Sequence, residues 1–129
     1  MMPCMITKMG RRSADLSPEA VELVAARFRT LGEPLRIRLL QALQERERTV
    51  GELVQMVGST QPNVSKHLRI LQEAGIVGRR QEGNSVYCYI ADRSVFDLCN
   101  AVCDSLEGRF SEAARMAAEL GRGLGRRGR

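Results

Sequence analysis

The chain has 129 residues, 43% of them apolar and 4% aromatic with no Trp, and a formal net charge of +5. That length suits one small domain, and such a composition suits a helical fold that packs against a second copy of itself. No apolar run approaches the ~18 residues of a membrane span, and Lys8 interrupts the opening before a secretory signal can form, so a cytoplasmic location without a membrane partner is expected.

The placement of charge says more than its sum. Residues 1–14 and 122–129 together hold seven of the 20 basic residues (Lys8, Arg11, Arg12, Arg122, Arg126, Arg127, Arg129) and none of the 15 acidic ones. The middle of the chain is therefore slightly acidic, and any nucleic-acid binding there must come from a local cluster rather than a general field.

Residues 1–15 read as a flexible segment. "LSPEAVELVAARFRTLGEP" then opens a first helix. Ser17 can cap it, Pro18 suits its first position, and Val21, Val24, Ala25, Phe28 and Leu31 recur at helical spacing. Pro34 starts a second helix whose stripe is Leu35, Leu39, Ala42 and Leu43. "TVGELVQMVG" is a short third helix, with Thr49 and Glu52 at capping-box spacing and Gly58 past its end.

A fourth helix, "STQPNVSKHLRILQEAG", is capped by Ser59 or Thr60, seamed by Val64, Leu68 and Leu71, and ended by Gly75. The period then changes. "IVGRRQ" and "SVYCYI" read as two strands joined by a tight turn in which Gly83 and Asn84 take positive φ. Val86, Cys88 and Ile90 share one face of the second strand, and Tyr87 and Tyr89 the other. Asp92 can cap a fifth helix with the seam Val95, Cys99, Val102 and Leu106. Helix can continue beyond Gly108, with "RGLGRRGR" as a flexible basic tail.

A short helix, a turn containing glycine and a second helix make a helix-turn-helix, and the hairpin that follows makes it winged. At 100° per residue, centring Val64, Leu68 and Leu71 on the buried face puts Ser65, Lys66 and Arg69 on the opposite or flanking side. Those three can reach phosphates or base edges of double-stranded DNA. Gln61 and Asn63 stand at the helix N-terminus, the end that enters the major groove in recognition helices. Arg79 and Arg80 lead into the wing and can grip the flanking backbone. His67, the sole histidine, falls at the edge of the buried seam and reads as structural rather than as a base contact or metal ligand. A solvated helix face would look much the same, and it is the turn and the wing that favour DNA.

Two stretches, "LGEPLRIRLLQAL" and "TQPNVSKHLRILQEAGIVGRRQEGNSVYCYI", resemble the ArsR/SmtB family of small bacterial transcriptional repressors, over roughly residues 20–106. The resemblance implies a homodimer joined through its first and last helices, bound to operator DNA and released by an inducer, often a metal ion or metalloid. The expected fold is mainly α with a small β-hairpin. Residues 16–108 would form the winged helix-turn-helix and dimerisation domain, and 109–129 a C-terminal helix extension and basic tail.

Four cysteines in a cytosolic protein read as free thiols, metal ligands or redox switches rather than a disulfide framework. Many members of the resembled family carry a Cys-x-Cys pair in the third helix, but the matching "GELVQMVGS" has no cysteine. Others place His and Asp ligands on the last helix, and this chain lacks the histidines. What it has is Cys99 and Cys103, one helical turn apart, where Cβ atoms stand about 5–6 Å from each other. That is wide for a disulfide but suits two thiolates converging on a soft ion: As(III), Cd(II), Hg(II) or Zn(II). Cys88 is a candidate third ligand, Cys4 a weaker one. Alternatively the same thiols respond to oxidants or persulfides, or Cys99 simply packs like a small hydrophobe. A winged helix that binds protein instead of DNA is the rival from another class. Nothing points to an enzyme: there is no paired carboxylate site, no nucleophile with an orienting His and no phosphate-binding glycine loop.

Overall fold

Helix starts fall where capping chemistry puts them in the computed structural model, which describes residues 15–127, with side chains as far as Gly121. Cys4, the N-terminal segment to residue 14, Gly128, Arg129 and the side chains of 122–127 lie outside the described residues. Helix α1 spans Pro18–Leu31, and the Ser17 hydroxyl accepts from the Ala20 N–H at 3.1 Å. Helix α2 spans Pro34–Glu45 behind Glu33, and α3 spans Val50–Val57. At the start of α3 the capping box closes in both directions: the Thr49 hydroxyl accepts from the Glu52 N–H, and the Glu52 carboxylate accepts from the Thr49 N–H. Those bonds, with Arg46 beside it, hold the Glu52 carboxyl below its usual pKa.

Gly58 ends α3 at φ 67° and Thr60 caps α4, Gln61–Glu73, leaving a three-residue turn, 58–60, between the two helices. At the far end of α4, the Ile76 N–H donates to Leu71 O and the Gly75 N–H to Gln72 O, with Gly75 at φ 76°. This Schellman closure satisfies the last carbonyls and turns the chain straight into the wing. Strands β2 (Val77–Glu82) and β3 (Ser85–Ile90) form the wing, antiparallel with Arg79 opposite Cys88 and Arg80 opposite Tyr87. The turn between them departs from expectation. Gly83 takes φ 61°, but no described non-glycine residue has positive φ, so Asn84 does not share the left-handed role. One glycine in the first turn position is enough for a two-residue hairpin of the II′ kind.

The sequence reading had no third strand. Arg48–Thr49 forms β1, pairing antiparallel with β3 to give the order β1-β3-β2. Arg48 also closes α2: its Nε donates to Ala42 O at 2.6 Å, and Nη2 pairs with Glu45. A basic side chain thus meets the unpaired carbonyls of a helix C-terminus.

The core is built from Leu39, Leu40 and Leu43 of α2, Leu53 of α3, Val64, Leu68 and Leu71 of α4, then Ile76, Val77, Cys88 and Ile90. The stripe of α1 behaves differently: Leu31 is buried, but Val21, Val24 and Phe28 stay exposed. Helix α5 runs unbroken over Ser94–Arg127, through Gly108 and on into the arginine-rich segment where a flexible tail was expected. Its entry is fixed by Asp92, whose carboxylate accepts from both the Ser94 N–H and hydroxyl. By packing, the chain divides into two units, one ending at Ala91 and one beginning at Asp92.

Candidate nucleic-acid interface and thiol pair

Helix α4 meets the wing with one face sealed and the other open. Val64, Leu68 and Leu71 are buried, and Gln61, Lys66 and Arg69 are exposed, with Ser65 half-buried between. A cleft of about 200 Å3 separates helix from wing, lined among others by Ser65, Arg69 and Gln72 of α4, Arg79 of β2 and Cys88 of β3. Three of the residues expected to contact DNA therefore converge on one cleft, and Lys66 lies on the exposed side of the same helix. Asn63 has a second task. Its N–H donates to the Thr60 hydroxyl and its Nδ2 to Ser59 Oγ at 3.0 Å, which ties the turn to the start of the helix.

The two wing arginines part company. On a strand, neighbouring side chains point to opposite faces. Arg79 lines the cleft, whereas Arg80 pairs with Glu47 and Glu82, both at 2.7 Å, and stacks 4.9 Å over the Tyr87 ring. Bonds to Glu82 and Glu47 hold the Arg80 guanidinium still more firmly protonated than an ordinary arginine. Backbone gripping was expected of both arginines; Arg79 faces the cleft, while the fork of Arg80 is engaged by carboxylates. Among the described residues Arg46, Arg48 and Arg80 all sit in ion pairs, and Lys66, Arg69 and Arg79 sit in none. Arg46 and Arg48 after α2, and Arg80 on the wing, are thus matched to acids, whereas the three basic residues of α4 and its cleft are not.

His67 is buried, as its position beside the seam implied, but its Nδ1 has no hydrogen-bond partner, so it packs rather than bonding through that atom. Burial lowers its pKa first, the charges of Arg36 and Lys66 lower it further, and Glu33 pulls the other way. A neutral ring is the form this site favours.

The thiols occupy three different environments. Cys88 is 1% exposed on β3, and burial pushes its thiol pKa up against a smaller opposing effect of Arg79. Cys99 is half-buried and Cys103 exposed. Burial raises the pKa of Cys99, and a Cys103 thiolate close by raises it further, as two negative sulfurs on one helical turn must. Among the described residues no group of three or more His, Cys, Asp or Glu side chains gathers at metal-ligand distances. One protomer thus offers two adjacent sulfurs on α5 and keeps Cys88 in the core.

The arsR family of bacterial regulatory proteins matches the chain over residues 33–78, from the cap of α2 to the start of β2. The HTH-type transcriptional regulator Rv0081 of Mycobacterium tuberculosis is 42% identical over 78 residues, covering 60% of this chain and 68% of its own. Its crystal structure superposes with a TM-score of 0.69 at 36% identity, covering 77% of this chain and 99% of that one. A probable mercury resistance operon repressor of Streptomyces lividans is 41% identical over 71 residues, covering 55% and 57% of the two chains. The solution structure of Mb0332 from Mycobacterium bovis, a homodimeric winged helix-turn-helix DNA-binding domain, superposes with a TM-score of 0.63 at 26% identity, covering 74% and 94%.

Proposed function

Because the chain belongs to the ArsR family of bacterial DNA-binding transcriptional regulators, we propose that it is a homodimeric repressor that binds a palindromic operator and is released when a soft metal ion or As(III) binds at Cys99 and Cys103. The observation that carries the DNA reading is the sorting of charge. Lys66, Arg69 and Arg79 keep their charge unpaired on the α4 and cleft side, while Arg46, Arg48 and Arg80 are matched to acids. Ser65, with Gln61 at the first turn of α4, adds neutral donors and acceptors suited to base edges. Asn63 acts by holding that first turn in place, and Arg80 acts by stiffening the wing.

Dimerisation accounts for the apolar surface that one chain leaves open. Val21, Val24 and Phe28 of α1 and Val102 and Leu106 of α5 are all large, apolar and 41–52% exposed. A two-fold contact between copies buries such residues on each of them. In this reading residues 16–108 carry DNA binding and dimerisation, and 109–129 are a C-terminal helix extension and basic tail.

The donor set fits a soft ion. Two sulfurs one turn apart, one half-buried and one open, offer a bidentate thiolate edge on a helix at the join between copies. The ion would supply a bridge between sulfurs. The chain supplies the strain: drawing Cys99 and Cys103 together, or toward a partner's thiol, alters the packing of α5. Recognition helices must stay one DNA turn apart, about 10 base pairs, and a coupling of about 1–3 kcal/mol changes operator affinity roughly 5- to 150-fold. The mercury resistance operon repressor among its relatives supports a soft-metal inducer. The raised pKa of Cys99 favours this over an oxidant switch, since oxidants select thiolates and a metal ion creates its own.

Fluorescence anisotropy of the reduced protein on the DNA upstream of its own gene tests the reading. Expected are tight, salt-sensitive binding, release by As(III), Cd(II), Hg(II) or Zn(II), and loss of that release in Cys99→Ser. Absence of specific DNA binding would leave the protein-interaction alternative. Release that persists in Cys99→Ser/Cys103→Ser would move the inducer site elsewhere.

A further inference from the structure

Two sulfurs one turn apart on α5 have no third ligand beside them. Among the described residues no other His, Cys, Asp or Glu side chain joins Cys99 and Cys103 to make a group that could hold a metal ion. Cys88 is 1% exposed, in the core of the unit that ends at Ala91, and the chain's one histidine is buried on α4. What α5 offers is a pair: Cys99 half-buried and Cys103 open.

The surroundings of the pair limit the charge that a complex there can carry. From Ser94 to Gly108 the helix holds Asp97, Asp104 and Glu107 and no Lys or Arg, so this stretch has no cation to offset surplus thiolate charge. Val102 and Leu106 flank the pair on the same stripe and are 47% and 45% exposed in one chain. In the homodimer reading a second copy covers those turns, and a net charge enclosed there is costly. Burial and the Cys103 sulfur already hold the Cys99 thiol above its ordinary pKa, which is the same resistance to negative charge.

Soft acceptors differ in how many thiolates complete them. Inorganic As(III) takes three. Zn(II) takes four ligands, and a four-thiolate Zn(II) or Cd(II) complex is doubly negative. Hg(II) is satisfied by two thiolates, and the product is neutral; the same holds for trivalent arsenic that already bears one carbon substituent. We infer that the α5 pair is a two-coordinate site, selective for Hg(II) and for other acceptors that two thiolates complete, over inorganic As(III), Cd(II) and Zn(II). This rests on the reading of Cys99 and Cys103 as the inducer site and narrows it. Cβ atoms one turn apart stand about 5–6 Å from each other, a span that one atom held between two sulfurs can bridge. With Hg(II), two S–H bonds break, two S–Hg bonds form and two protons leave to solvent. With an arsenoxide, R–As=O, two S–As bonds form and the protons leave with the oxygen as water. Neither step changes an oxidation state.

Native mass spectrometry and operator-release titrations of the reduced full chain test it, with mercuric chloride, phenylarsine oxide, arsenite, cadmium chloride and zinc chloride as probes. Wild type and Cys4→Ser/Cys88→Ala should each hold one Hg(II) per chain with two protons lost, and Cys99→Ser or Cys103→Ser should hold none that survives a glutathione competitor. Cys4→Ser/Cys88→Val serves if the alanine variant does not fold. Hg(II) and phenylarsine oxide should release operator DNA at concentrations about tenfold or more below those of arsenite, Cd(II) or Zn(II). One Hg(II) per dimer, or uptake that needs Cys88, overturns the two-sulfur site. Failure to hold phenylarsine oxide overturns its extension to arsenic. If arsenite or Cd(II) acts through Cys99 as readily as Hg(II), the selectivity falls and the soft-metal repressor reading stands. If the pair holds Hg(II) but no probe releases DNA, the site stands and the inducer reading falls.

Discussion

Helices α4 and α5 are both amphipathic, yet they finish differently. In α4 the seam is closed: Val64 and Leu71 are 0% exposed. In α5 the seam opens steadily, from buried Val95 through half-buried Cys99 to Val102 at 47% exposed. The two kinds of helix turn opposite faces outward. α4 buries apolar residues and presents unpaired charge, as suits a polyanion. α5 presents apolar residues over several turns, as suits another protein surface. The helix-turn-helix core is thus complete within one chain, whereas α5 leaves apolar surface open.

Substitutions that respect this division should have separable consequences. Leu71→Ala removes a fully buried side chain and should cost about 2–5 kcal/mol of unfolding free energy, read by urea denaturation, with operator affinity falling only as folded protein is lost. Val102→Glu should do the reverse. The chain keeps its fold by circular dichroism, but sedimentation finds monomer, and operator affinity drops by about 10²-fold with the loss of bivalent attachment. A Val102→Glu protein that stayed dimeric with full affinity would erase the contrast between the two helices.

How far this was legible in the sequence follows from how local each cause is. Ser17, Pro18, Pro34, Thr49 with Glu52, and Thr60 marked their helix starts because a cap acts within three residues. Strand β1 escaped notice because two residues carry no periodicity and its partner β3 lies some 40 residues on. Arg79 and Arg80 were grouped as neighbours in sequence, although the two-residue period of a strand already sets them on opposite faces; the engagement of Arg80 by Glu47, 33 positions away, gave no local sign. The stripe on α1 was correctly read as apolar, but period alone does not tell burial within a chain from burial between copies. Continuation of the last helix beyond Gly108 was legible, since a helix interior tolerates one glycine at about 1 kcal/mol, but its run into the arginine-rich segment was not.

The two arginines sharpen the comparison at the level of single charges. Lys66→Ala and Arg79→Ala should each flatten the dependence of log affinity on log salt by about one unit, which is the loss of one phosphate contact. Arg80→Ala should leave that slope unchanged and instead loosen the wing, seen as faster amide exchange in β2 and β3. A full unit lost from the slope in Arg80→Ala would mean that DNA displaces Glu47 and Glu82, and the sorting of charge would lose its meaning.

The smallest expected effect concerns the closed face of α4. His67 is the chain's one histidine, so near neutral pH its titration is not blurred by another imidazole. Its folded pKa lies below the ordinary 6.5 through burial and the nearby charges of Arg36 and Lys66, with Glu33 opposing. The unfolded chain therefore takes up a proton more readily than the folded one in the window just below 6.5. Stability is complete above that value and declines as pH falls toward the folded pKa. The urea midpoint of the wild type should accordingly be lower at pH 5.5 than at pH 7.5, and in His67→Gln, which has no group to titrate there, most of that difference should vanish. Equal pH dependence in the two proteins would show that the ring is as easily charged folded as unfolded, and that the seam of α4 is less closed than its packing implies.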